Sequence, residues 1–148
     1  HPHSKRLNSL WKSIMNLIAE LANDARGLML LKDWLGAGGE VVPVQHANWR
    51  GSVCCGGNMG TPCPNNVEPN WWNRIKSAIA DVICDQLSLK HRFSVSTKFD
   101  EGLHMCKSCG CCLKLKVHTP ISHIKDNTSQ AAIDSMPDYC WMKKELTV

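Results

Sequence analysis

Near the start of the chain, apolar residues recur at helical spacing. Leu7, Leu10, Trp11, Ile14, Leu17, Ile18, Leu21 and Ala25 share one face, while Lys12, Asn16, Glu20, Asn23 and Asp24 lie mostly off it. The pattern predicts an amphipathic helix from Leu7 to about Arg26, capped by Asn8 or Ser9 and stopped or bent at Gly27. A second short helix, Leu28 to Leu35, runs into the flexible break Gly36-Ala37-Gly38-Gly39. Beyond it Pro43 argues against a central strand, and Gly56, Gly57, Gly60, Pro62 and Pro64 make a loop of the cysteine-bearing stretch that follows.

Helical periodicity resumes after Glu68-Pro69. Asn70 is a good cap, and Trp72, Ile75, Ile79, Val82, Ile83 and Leu87 mark one face to about Leu89. Phe93, Val95, Thr97 and Phe99 then alternate as a strand, and residues 103–105 are expected to pair back on it across the turn Asp100-Glu101-Gly102. Leu113, Leu115 and Val117 predict the buried face of a further strand, with Lys114, Lys116 and His118 on its wet face and Pro120 at its end. A weak helix around Ser129 to Asp134 precedes the apolar ending Tyr139-Cys140-Trp141-Met142. The expected fold is α+β: a small metal-stabilised domain with an N-terminal amphipathic helix, one central helix and a short antiparallel sheet. Residues 1–39 form a helical arm in this reading, and residues 40–148 a cysteine-ligated metal-binding domain.

Composition narrows the class. A chain of 148 residues, 43% apolar and 20% charged, has the make-up of one globular domain with an arm. Its formal charge of +4 is compatible with nucleic acid or with an acidic protein partner and demands neither. The longest uninterrupted apolar run near the start, Leu28 to Leu31, is too short for a signal or a membrane span. The protein is therefore expected to stay unexported. In that setting an odd number of cysteines, nine, favours metal ligands or free thiols over a disulfide framework.

The cysteines carry the chemistry. Cys106-x-x-Cys109-Gly110 is a metal-knuckle spacing: two intervening residues let both sulfurs reach one ion, and the glycine lets the backbone turn beneath it. Strand alternation puts Cys111 inward with Leu113 and Leu115, and Cys112 outward. Three thiolates leave a tetrahedral ion one ligand short, to be drawn from Cys54 or Cys55, Cys63, Cys140 and the histidines 104, 118 and 123. The thiols are preferred, because a sulfur-rich site selects thiophilic ions. Cys63 stands between two prolines, where packing gives little reason for a thiol, and a bond at Cys140 would tether a tail that otherwise frays. The knuckle is thus one half of a metal centre, and the loop at 54–63 and the tail at 140 supply the other half. Zinc is expected; an iron–sulfur cluster is the alternative, although only one two-residue gap is present.

Other features read more plainly. Cys84, inside the long helix, is expected to be a small buried residue, and His46, His91 and His104 surface or satisfied histidines. Trp11 and Trp72 read as core rather than as stacking platforms. No phosphate loop, nucleophile elbow, dinucleotide fingerprint or deaminase signature occurs, so no enzyme activity is expected. A zinc-stabilised nucleic-acid-binding module using Lys90, Arg92, Lys114 and Lys116 is the alternative to a structural role.

Four pieces of the chain support a resemblance. They are Trp34-Leu35-Gly36 with Gly38-Gly39-x-x-x-Pro43, Arg50-x-x-Val53-Cys54 followed by Cys63-Pro64-x-Asn66, the block Cys106-x-x-Cys109-x-Cys111-x-Leu-Lys-Leu-Lys-Val-His-x-Pro120, and Cys140-Trp141. They cover most of the chain beyond residue 34, and the third is the specific one. Together they resemble small cysteine-rich proteins encoded by tailed bacteriophages and prophages. The resemblance implies a phage origin, a place in the virion or the host cytoplasm, and six ligand thiols: Cys54, Cys63, Cys106, Cys109, Cys111 and Cys140. The Cys54–Cys63 spacing is longer than the group's short cysteine pair, which leaves Cys55 as an alternative to Cys54. No activity follows from it. The expected protein is a non-enzymatic structural or interaction component of a phage particle or phage-encoded complex, meeting protein partners through its N-terminal helix.

Overall fold

The computed structural model describes residues 28–68, 71–108 and 110–147, together with Ser9 and Lys12. Ser9 and Lys12 are helical and exposed; the rest of the helix expected over 7–26, the Asn70 cap and Cys109 lie outside the described residues. Among the described residues the fold is mixed α+β, with seven helices and one two-stranded antiparallel sheet. No described helix is long and apolar enough to cross a membrane.

Helix α1 (Leu28–Gly36) buries Leu30, Leu31, Trp34 and Leu35 on one side. The glycines after it form a fixed turn. Gly38 and Gly39 take φ of 117° and 66°, values that favour residues lacking a Cβ, and Gly39 N–H donates to Trp34 O. The end of the long helix α3 (Trp71–His91) holds this turn, through Lys90 Nζ to Gly38 O and His91 Nε2 to Gly39 O. Ala80, Ile83 and Leu87 bury one stripe of α3 against Leu31, Trp34 and Leu35, and Val95, Met105, Cys112 and Leu115 complete that half of the core. Val82, expected on the same stripe, is exposed instead.

The second half of the core gathers around the chain end. Helix α2 (Val44–Cys54) contributes Ala47 and Cys54, α4 (Leu113–Lys116) contributes Leu113, α5 (Ile121–Asp126) Ile124, and α7 (Trp141–Leu146) Trp141 and Met142. Helix α6 (Gln130–Asp134) forms where the weak helix is expected, and its cap, Ser129, accepts a hydrogen bond from Ala132 N–H.

Arg50 ties α2 to this chain end. The residue is 1% exposed and donates four hydrogen bonds, of which Nε and Nη2 form a fork on Glu145 at 2.9 and 2.7 Å. Nη1 donates to Val117 O and Thr119 O, and the guanidinium lies 4.4 Å over the Trp141 ring. Burial would raise the Glu145 carboxyl, but hydrogen bonds from Arg50 and His46 outweigh it and hold the group below its usual range.

Two expectations about strands are corrected. Residues 93–99 make no ladder: Arg92 turns the chain at φ 60°, Thr97 N–H and Oγ1 bond Asp100 Oδ1, and Lys98 N–H bonds Asn48 Oδ1, so side chains take the donors a partner strand would have used. The sheet instead pairs β1 (Asn66–Val67) with β2 (Met105–Cys106), Asn66 opposite Cys106 and Val67 opposite Met105. Residues 113–116 are a helical turn, with Lys116 N–H on Cys112 O and Val117 N–H on Leu113 O. Two of the three residues on its supposed wet face, Lys116 and His118, are buried, and only Lys114 stays partly exposed, so the alternation does not divide the segment into a dry and a wet side. Ahead of the expected loop at 56–64, Val44 to Cys54 form a helix, and Gly51 in its middle lets Phe99 pack where an added Cβ would stand 3.3 Å from the Phe99 Cβ.

Candidate metal centre

Cys54 is the last residue of α2. The chain turns back after it at Gly56 (φ 122°), so that Cys63 N–H donates to Cys54 O at 3.0 Å. Asn66 then fastens this loop to the knuckle: its Nδ2 donates to Cys54 O and Gly102 O, and its Oδ1 accepts from His104 N–H. Asn66 is a positioning residue that spacing alone did not single out. The knuckle closes through Cys106 N–H to Cys111 O (2.9 Å) and Gly110 N–H to Cys106 O (2.7 Å), with Gly110 at φ 74° where the spacing calls for a turning glycine. Cys140 stands at the N-terminal cap position of α7.

These elements bring thiols together from three remote segments. Cys54, Cys63, Cys106 and Cys140 line one small cavity of about 10 Å³, whose wall is completed by Asn65, Asn66, Leu113, Met136, Trp141 and Met142. That volume is about one water-sized sphere. Cys111 is buried in the same apolar cluster but does not line the cavity. The eight described cysteines form no disulfide.

The remaining thiols point elsewhere. Cys55 turns its sulfur toward Phe99 O, 3.9 Å away, leaving Cys54 as the member of the pair that faces the cavity. Cys112, expected on an exposed face, is buried with Met105 and Leu115 in the other half of the core. The cause is the helical turn at 113, which swings both faces of the segment into the interior. Cys84 is half-buried in α3, and burial pushes its thiol up to about 12.

Electrostatics in the cavity pull both ways. Burial raises the Cys54 thiol to about 12, and the neighbouring Cys140 and Cys63 add to the rise. Opposing this, Trp141 Nε1–H donates to Cys54 Sγ at 3.2 Å. Burial also raises Cys140, while backbone donors from Lys143 and Met142 and the charge of buried Lys116 favour its ionised form. A thiol group this dry does not ionise without a compensating cation, and a metal ion binding here would release protons.

Among the described residues, no group of three or more His, Cys, Asp or Glu side chains forms a preformed metal site. The donor set nevertheless suits a thiophilic ion in kind: four sulfurs, a mostly apolar wall, and an N–H donor aimed at one of the sulfurs. Cys109, the second thiol of the knuckle, lies outside the described residues.

The histidines divide. His46 bonds Glu145 at 2.9 Å and His91 bonds Gly39 O. His118 is 2% exposed, and its Nε2 has no hydrogen-bond partner among the described residues. Burial lowers its pKa from 6.5 to about 4; Asp100 opposes the shift and Arg50 adds to it. The folded value lies below the unfolded one, so the stabilisation is fully present above pH 6.5 and is lost as pH falls through about 4. The size implied is on the order of 3 kcal/mol. A His118→Phe variant should lose that much less stability than the parent between these limits in urea titrations. Parallel stability curves for the two proteins would show that His118 does not titrate in this window.

No protein-family model matches the sequence, no curated protein is similar to it, and no solved structure matches its fold.

Proposed function

We propose that the protein is a non-enzymatic, metal-stabilised structural or interaction protein. One thiophilic ion, zinc in this reading, fastens the end of α2 and its loop, the knuckle and the tail to one another. The observation that carries the reading is the convergence of Cys54, Cys63, Cys106 and Cys140 on one small cavity from positions far apart in the chain. Ordinary core packing does not call for four thiols in one place, whereas a structural tetrahedral site does. The sequence resemblance supports a place in a bacteriophage particle or phage-encoded complex. The apolar stripe predicted over 7–26 supports a protein partner engaged through that helix.

The nucleic-acid reading has lost part of its basis. Lys116 is buried, and Lys114, partly exposed, is paired with Asp81 at 2.6 Å, so these two lysines do not make one exposed basic face.

Elemental analysis of protein purified without chelator tests the reading directly. About one zinc per chain is expected for a single structural site. Metal-free protein with an unchanged melting temperature in the presence and absence of added zinc would overturn it.

A further inference from the structure

Trp141 does more in this arrangement than fill the core. Its ring is fully buried, its Nε1–H points at Cys54 Sγ at 3.2 Å, and its face carries the Arg50 guanidinium at 4.4 Å. Arg50 is itself immobilised by the fork on Glu145 and by Val117 O and Thr119 O. The indole is therefore held from one side by a fixed cation and offers its only donor to a cavity-lining sulfur. A cation over the ring withdraws electron density from it and makes the N–H a stronger donor. A thiolate is also a better acceptor than a thiol, so the contact strengthens when Cys54 ionises to bind an ion.

We infer that Trp141 is the outer-shell positioning residue of the metal centre, a donor to the Cys54 thiolate that sets how tightly the ion is kept. The inference rests on the metal-centre reading given above. It adds that retention of the ion is controlled from the tail helix, through the indole N–H of Trp141. Cys54 and Trp141 are 87 residues apart, so the same contact reports whether the tail is seated. Outer-shell donors of this kind are typically worth about 10- to 100-fold in metal affinity.

Cobalt(II) substitution in the full chain supplies a test. The unmodified protein should give a sulfur-to-cobalt charge-transfer band. Trp141→Phe keeps an aromatic ring beneath Arg50 and removes the N–H. It should bind one cobalt per chain with the band moved to lower energy, because an unbonded thiolate gives up electron density more easily. Its cobalt affinity in competition with a chelating dye should fall about 10-fold or more. Glu145→Gln should lower the melting temperature yet leave the band in place, which separates loss of stability from loss of the donor. Trp141→Tyr gives the same readout should the phenylalanine variant fail to accumulate, since its hydroxyl cannot occupy the indole N–H position. An unmoved band with unchanged affinity in the Trp141 variants would overturn the inference and leave the metal centre standing. Absence of any sulfur-to-cobalt band in the unmodified protein would overturn both.

Discussion

Replacing Arg50 with methionine is expected to destabilise the protein by about 3–5 kcal/mol, the range for removing one partner of a buried charged pair. For a chain of this size that corresponds to a fall in melting temperature of about 10–15 °C. Methionine fills much of the same volume, so the loss comes from what arginine leaves behind. Glu145 keeps only His46, and the carbonyls of Val117 and Thr119 lose their donor in a buried place. Arg50→Lys should recover little, because an ammonium cannot reproduce the fork on Glu145 and reach two carbonyls together. Adding Glu145→Met to Arg50→Met should recover part of the loss, since the orphaned carboxylate goes with it. Urea titrations of the parent, Arg50→Met, Glu145→Met and the double variant form a double-mutant cycle. An Arg50→Met variant within about 1 kcal/mol of the parent would mean that the network is rim-like rather than structural.

Several parts of this arrangement were legible from residue order. The stripe of α1, the long α3 and the Ser129 cap follow from periodicity and capping chemistry, which act over a few residues. Cys63 stood out because nothing in a proline-flanked loop calls for a thiol, and it does line the cavity. The helix Val44–Cys54 has no apolar stripe to announce it, since its buried positions are Ala47, Arg50, Gly51 and Cys54. The turn at 113–116 departs from expectation because Leu-Lys-Leu-Lys alternation implies two wet lysines, and Lys116 is buried. Arg50 and Glu145 meet across 95 residues, and no local pattern announces that pairing. The same holds for Asn66, whose three acceptor and donor contacts lie 12 to 38 residues away.

Stripping the proposed metal with a chelator should have an effect of about the same size as the Arg50 substitution, but in a different place. An ion present at a thousand times its dissociation constant stabilises a fold by about 4 kcal/mol. The loop from Cys55 to Asn65 has few apolar anchors, since Met59 is exposed and, among the described residues, Gly56 and Cys63 are the buried ones. Without an ion that segment and the knuckle at 106–111 should lose hydrogen-exchange protection by tenfold or more. Helix α3 should keep its protection, because Ala80, Ile83 and Leu87 pack in the half of the core that holds none of the cavity-lining thiols. The tail should fall between the two: it loses the bond at Cys140 but keeps the Arg50–Glu145 fork and the packing of Trp141 and Met142. Combining the chelator with Arg50→Met should therefore release residues 137–147 where either treatment alone does not. Buried cysteines can also serve simply as small apolar residues, and that alternative makes the opposite forecast. Unchanged exchange in the loop and knuckle after metal removal would mean that these four sulfurs are packing groups.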